Sequence, residues 1–171
     1  MRSHSHLPVI GVKQHGFSML EILITLVIIA TALLGTAGLQ MYAMRMGQSG
    51  QFRTQAVFLA SDIAERMEAN KTAAVAGNYI VALASAPSAA AADCAITACN
   101  SANLASWDIS EWGNAIINVG LPQADWQITQ TTAGNPSTYT IVISWADRSS
   151  VKTSHGETFS YTATRTVSSE P

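Results

Sequence analysis

FSMLEILITLVIIATALLGTAGLQ, residues 17–40, decides how the whole chain is read. Glu21 is its one charged side chain, and residues 22–39 are otherwise apolar, small or threonine. At 1.5 Å per residue, a helix through that run is roughly 27 Å long, close to the hydrocarbon thickness of a bilayer. The stretch is therefore expected to cross a membrane as a helix. A secretory signal would instead place a shorter apolar core before a small-residue cleavage site, and Ala30-Thr31-Ala32 and Gly35-Thr36-Ala37 keep that alternative open. Against it stands Glu21, because a carboxylate near the centre of an inserted helix costs about 2.5 to 3.5 kcal/mol.

Gly16-Phe17-Ser18-Met19-Leu20-Glu21, in register with the apolar run, resembles the class III signal of type IV pilins and of type II secretion pseudopilins. The resemblance implies that a prepilin peptidase cuts between Gly16 and Phe17, that Phe17 becomes an N-methylated terminus, and that Glu21 serves subunit assembly. It also implies a division into a leader (1–16), a transmembrane segment (17–40) and a periplasmic domain (41–171). The expected location is the inner membrane, single-pass, and then a pilus filament. Arg2 and Lys13 lie before the span and Arg45 and Arg53 after it, so charge bias orients the helix only weakly. Orientation rests on the resemblance.

The composition limits the alternatives. Of 171 residues only 12% are charged, and the net charge is −2, so no basic surface for nucleic acid is expected. His4, His6 and His15 are clustered enough to suggest a metal site, but they sit in the segment expected to be removed, with no acidic or cysteine ligand nearby. No metal and no cofactor are expected.

Beyond Gln40 the helical period continues in polar form. Phe52, Ala56, Leu59, Ile63 and Met67 recur at spacings of four and three, while Arg53, Gln55, Asp62, Glu65, Arg66 and Glu68 mostly take other faces. One helix is predicted over roughly 18–69, half span and half domain spine, with Asn70 and Gly77 as its stop signals. Gly35, Gly38, Gly47 and Gly50 each weaken a helix by about 1 kcal/mol relative to alanine, so bending or melting is expected there. The wording of residues 56–70, with its Leu59-Ala60 pair, Asp62, Glu65-Arg66-Met67 and Asn70, resembles PilV-type minor pilins.

Residues 73–92 are alanine-rich, hold Pro87, and read as a connecting loop without secondary structure. Cys94 and Cys99, the only cysteines, are expected to form a disulfide if the domain is exported. A metal thiolate pair would need two further ligands. A second helix is predicted over about 104–119, with Leu104, Trp107, Trp112, Ile116 and Val119 as its apolar stripe and Gly120 and Pro122 ending it. Trp107 and Trp112 are read as core in preference to a ligand platform. The run from Cys94 through Trp107 and Trp112 to Leu121-Pro122 is again similar to PilV-type proteins.

Three antiparallel strands are predicted over 126–132, 139–145 and 158–167. Tyr139, Ile141, Ile143 and Trp145 share one face by two-residue alternation, as do Phe159, Tyr161 and Ala163, and that face is expected to cover the polar half of the long helix. His155 sits in a glycine-flanked turn, no serine lies in a nucleophile elbow, and no phosphate loop is present, so catalysis is not expected. The fold class is α+β, pilin-like: a long N-terminal helix, transmembrane in one half and amphipathic in the other, packed on a small antiparallel sheet. The resemblance implies a minor pilin that initiates or modifies a type IV pilus. Its partners would be other major and minor pilins, prepilin peptidase, inner-membrane lipid and a tip adhesin. The alternatives are a type II secretion pseudopilin and a membrane-anchored adhesin or binding module.

Overall fold

The computed structural model describes residues 16, 18–147 and 157–169. The elements are α1 (Met19–Ala69), α2 (Lys71–Val75), β1 (Val81–Ala84), α3 (Ser101–Val119), β2 (Asp125–Thr132), β3 (Ser137–Asp147) and β4 (Glu157–Val167). The chain divides into two compact units, Met1–Ala43 and Met44–Pro171.

α1 begins where Ser18 accepts hydrogen bonds. Its Oγ takes the Leu20 N–H (3.3 Å) and its carbonyl takes those of Glu21 (3.0 Å) and Ile22 (3.3 Å), satisfying donors that a helix start otherwise leaves open. The helix then runs 51 residues without interruption, through Gly35, Gly38, Gly47 and Gly50. Of the bending or melting expected at these glycines, melting does not occur. Each glycine stands in open space, so no neighbouring group competes for the backbone, and a propensity loss of about 1 kcal/mol at each does not outweigh continuous hydrogen bonding.

In the second unit, Ala56, Leu59, Ala60, Ile63 and Met67 of α1 are buried, with Phe52 partly buried against the same cluster. This is the stripe that the period of the sequence marks. After Asn70, the short α2 ends in backbone bonds from Gly77 to Ala74 (3.1 Å) and from Asn78 to Ala73 (3.0 Å). Gly77 takes φ +85°, which reverses the chain toward β1.

The sheet is a four-stranded antiparallel meander in the order β1-β2-β3-β4. Three strands are the predicted ones. The fourth, β1, falls inside the alanine-rich segment read as loop, and corrects that reading. Alternation is clean in β3: Ser137, Tyr139, Ile141, Ile143 and Trp145 are buried, while the residues between them are half-exposed. β4 is mostly exposed, with Tyr161 and Ala163 only partly buried and Phe159 at 38%. Its predicted inward face therefore lies at the margin of the core.

α3 is capped at both ends. Asn100 accepts the Asn103 N–H on its side chain (2.8 Å), and Gly120 closes the helix in the left-handed region at φ 76°. Its buried face is Ala105, Asp108, Ile109, Ser110, Trp112, Gly113 and Ile116. Of the predicted stripe, Trp112 and Ile116 are buried, Leu104 and Trp107 are half-buried, and Val119 is exposed. The helix is rotated because Gly113 brings it against Pro87, whose Cα would lie 3.1 Å from any Cβ placed there. Trp112 anchors it, donating from Nε1 to the Leu59 carbonyl (2.7 Å) and meeting Trp126 edge-on at 6.4 Å.

Candidate functional site

The first candidate lies in the N-terminal stretch of α1. Every side chain over residues 18–48 is exposed, including Leu23 (60%), Leu26 (57%) and Val27 (62%). By length and composition this helix is apolar enough to cross a membrane. Its hydroxyl groups are already satisfied: Thr25 donates to Ile22 O (2.8 Å), Thr31 to Ile28 O (2.9 Å) and Thr36 to Leu33 O (2.9 Å). Hydroxyls that bond back to their own helix do not need water, which suits them to hydrocarbon. Over residues 19–39 that leaves Glu21 as the polar side chain with no hydrogen bond or ion pair among the described residues. Gly16 is exposed and nothing lies within 4 Å of its missing Cβ. Phe17, the other half of the expected cleavage site, lies outside the described residues, as do His4, His6, His15 and His155.

The second candidate is a polar knot where α1, α3 and the approach to β1 meet. Asp108, 7% exposed, accepts from Tyr79 Oη (2.5 Å) and from Arg66 Nη1 (3.2 Å). Arg66 also reaches Asp62 at 3.1 Å, one turn back on α1. Asn70 Nδ2 donates to Tyr79 Oη (3.2 Å) and to the Ser101 carbonyl (2.8 Å) at the start of α3. Burial pushes the Tyr79 hydroxyl well above its ordinary range, and its hydrogen bond to the Asp108 carboxylate adds to this. Burial opposes the charge on Arg66, but the Asp62 and Asp108 carboxylates outweigh it and raise its pKa. Each polar group of this knot thus has a partner, as a fold-specifying network requires, whereas Gln55 Oε1 and Trp145 Nε1 elsewhere are buried without one.

Sequence reasoning missed Asp108 because a carboxylate breaks an apolar stripe. The signal that could have found it is Arg66, a long basic side chain on the spine with an acid at the matching distance on the next helix. Of the residues that make the spine resemble PilV-type proteins, Leu59, Ala60, Met67 and Asn70 are buried, Asp62 and Arg66 are half-buried and Glu65 is exposed.

Cys94 and Cys99 form a disulfide, with Cα atoms 5.5 Å apart. The turn inside it is also held by Thr97 Oγ1 on the Asp93 carbonyl (2.6 Å) and by the Ala95 N–H on Asp93 Oδ1 (2.9 Å). Ile96 projects from it at 80% exposure. Trp112 is core, as read from the sequence, and Trp107 is half-buried. Among the described residues no group of three His, Cys, Asp or Glu side chains is placed to hold a metal ion.

Residues 12–37 match the family profile described as the prokaryotic N-terminal methylation motif, and residues 38–110 match that of type IV pilin Tt1218. The two matches adjoin and together take in α1, α2, β1, the disulfide loop and the first half of α3. β2, β3 and β4 lie beyond both. No curated protein and no solved structure gives a significant match.

Proposed function

We propose that the chain is a type IV pilin-like protein and, within that group, a minor pilin of the PilV type, which takes part in initiating or modifying a type IV pilus; the two adjoining family matches support this reading. The pilin family is structural, not enzymatic. In this reading residues 1–16 are a leader, residues 17–40 anchor the chain in the inner membrane, and residues 41–171 form a periplasmic domain. Prepilin peptidase cuts between Gly16 and Phe17 and Phe17 is methylated.

The observation that carries the reading is Glu21, a carboxylate kept without an internal partner, among the described residues, on a helix whose other polar groups are satisfied. An ionisable group in a membrane helix is retained for a function and usually has a partner. Cleavage before Phe17 creates a positive amine one helical turn away in the same chain. In a filament, the amine of an incoming subunit meets Glu21 of its neighbour, and each neutralises the other in a bundle of low dielectric. That pairing sets axial register. The apolar face around it takes lipid before assembly and the helices of other major and minor pilins afterwards.

Two measurements test this. Mass spectrometry of the mature protein is expected to give methylated Phe17 as the first residue; a start near Leu33 or Gly38 would establish an ordinary signal peptide instead. Deletion of the chain is expected to lower surface piliation and leave protein secretion intact. The opposite pattern assigns it to a type II secretion filament.

A further inference from the structure

β1 and β4 are the two edges of the sheet, and they are finished differently. β4 carries Arg165, which meets Glu68 of α1 at 3.4 Å, and Glu68 in turn holds Lys71 at 2.9 Å. Charged side chains along an edge discourage a further strand from pairing. β1 carries no charge; it is four residues long, and its register with β2 shifts between Val81 and Ala84. Residues 72–92 contain no Asp, Glu, Lys or Arg, and Ile80 just before the strand and Leu83 within it are exposed at 52% and 69%. A groove of about 540 Å³ runs between β1 and α3, with Ile80, Leu83, Ser88, Ala102, Ser106 and Ile109 among its walls. Among the described residues no backbone hydrogen bond reaches Ala82 or Leu83 from outside the β1–β2 pair.

We propose that this groove receives an extended, uncharged segment of a partner protein as an added strand beside β1. The open strand edge selects an extended backbone, because only a row of alternating N–H and C=O groups matches it. The lining excludes charge: no lining side chain is ionisable, so a charged residue in the groove loses hydration and gains no counter-ion. Ala82, Ala84 and Ala102 keep the walls low, and Ser88 and Ser106 supply neutral hydrogen-bonding groups. Strand edge and helix wall together form the kind of slot in which peptides add to a sheet. The site is separate from Glu21 and stands whether the filament is a pilus or a secretion fibre.

The test uses full-length protein in detergent micelles and the end-blocked octapeptide TTVSVTVT as probe. Saturable binding is expected, with amide exchange at Ala82, Leu83 and Ala84 slowed by about tenfold or more. The same peptide N-methylated at alternate residues is expected not to bind, because its pairing groups are blocked. Ala102→Trp, at an exposed position of α3, is expected to fill the groove and abolish binding with an unchanged circular dichroism spectrum. If that variant does not fold, Leu83→Lys serves the same purpose from the other wall. Equal binding of the N-methylated probe, protection at β4 in place of β1, or no saturable binding would each overturn the proposal.

Discussion

Over residues 19–39 α1 buries no side chain, whereas over residues 56–67 it buries five, although both stretches belong to one unbroken helix. The two stretches differ in hydrophobicity and, with it, in pattern. In the second stretch the apolar residues fall on a stripe, and the partners of that stripe are in the same chain: α3 and the sheet. In the first they go all the way round, so no single internal partner can cover them. A helix apolar on every side needs a surrounding medium or several neighbours. The second half is thus complete when the domain folds, and the first is complete only in a bilayer or a filament.

Matched truncations separate the two stretches most strongly. Trp112→Ala removes a fully buried side chain that touches Trp126 and bonds to the Leu59 carbonyl, and is expected to cost about 3 to 5 kcal/mol in urea unfolding of the full-length protein. Leu26→Ala, in the first stretch, is expected to change the same measurement by under about 0.5 kcal/mol. Equal losses would show that the apolar half has an internal partner. A smaller effect is expected at the polar knot. Asp108→Ala leaves Tyr79 and Arg66 without their carboxylate, and its cost is expected to be about 2 kcal/mol, moderated because Arg66 is a third exposed.

Cys94→Ser opens a short loop, for which lost chain entropy corresponds to about 2 kcal/mol, and the remaining hydrogen bonds to Asp93 preserve the turn. Thermal unfolding with and without reductant is expected to reproduce this shift in the unsubstituted protein and to leave Cys94→Ser unchanged.

The smallest effect is alkaline. Burial raises the hydroxyl pKa of both Tyr79 and Tyr139 in the folded state, whereas the unfolded chain titrates near the ordinary value of about 10. The unfolded state therefore releases these protons first. The contribution of these two groups to stability is fully present below about pH 10 and is lost as pH rises through their folded values. Tyrosinate absorbance is expected to rise with loss of structure. Tyr79→Phe and Tyr139→Phe should each flatten the fall in stability, and ionisation of both residues in a still-folded domain would contradict the assignment.

Where partners are regular, the sequence was readable. The stripe from Phe52 to Met67, the alternation in β3, and the Gly120-Pro122 stop of α3 all follow from period and backbone chemistry. β1 was not readable, because Val-Ala-Leu-Ala in an alanine-rich stretch shows no alternation, and its strand character comes from pairing with β2. Asp108 was hidden for the opposite reason: its burial is set by Arg66, forty-two residues away, and local pattern carries no trace of that distance. Melting at the four glycines of α1 was wrongly expected because propensity was weighed without the continuity of the helix around them. At the N-terminal site, Gly16 and Glu21 were singled out by the resemblance of residues 16–21 to the class III signal, and the tertiary packing of the chain does not bear on that reading.

The central claim is that the first half of α1 is completed by other subunits through Glu21. The direct measurement is recovery of Glu21→Gln protein in sheared pili from a strain lacking the native copy, beside its level and processing in the membrane. The account predicts normal insertion and cleavage, since removing a charge eases burial, with recovery in pili reduced by about tenfold or more, the order expected for loss of a pairing in low dielectric. Recovery at wild-type levels would contradict it.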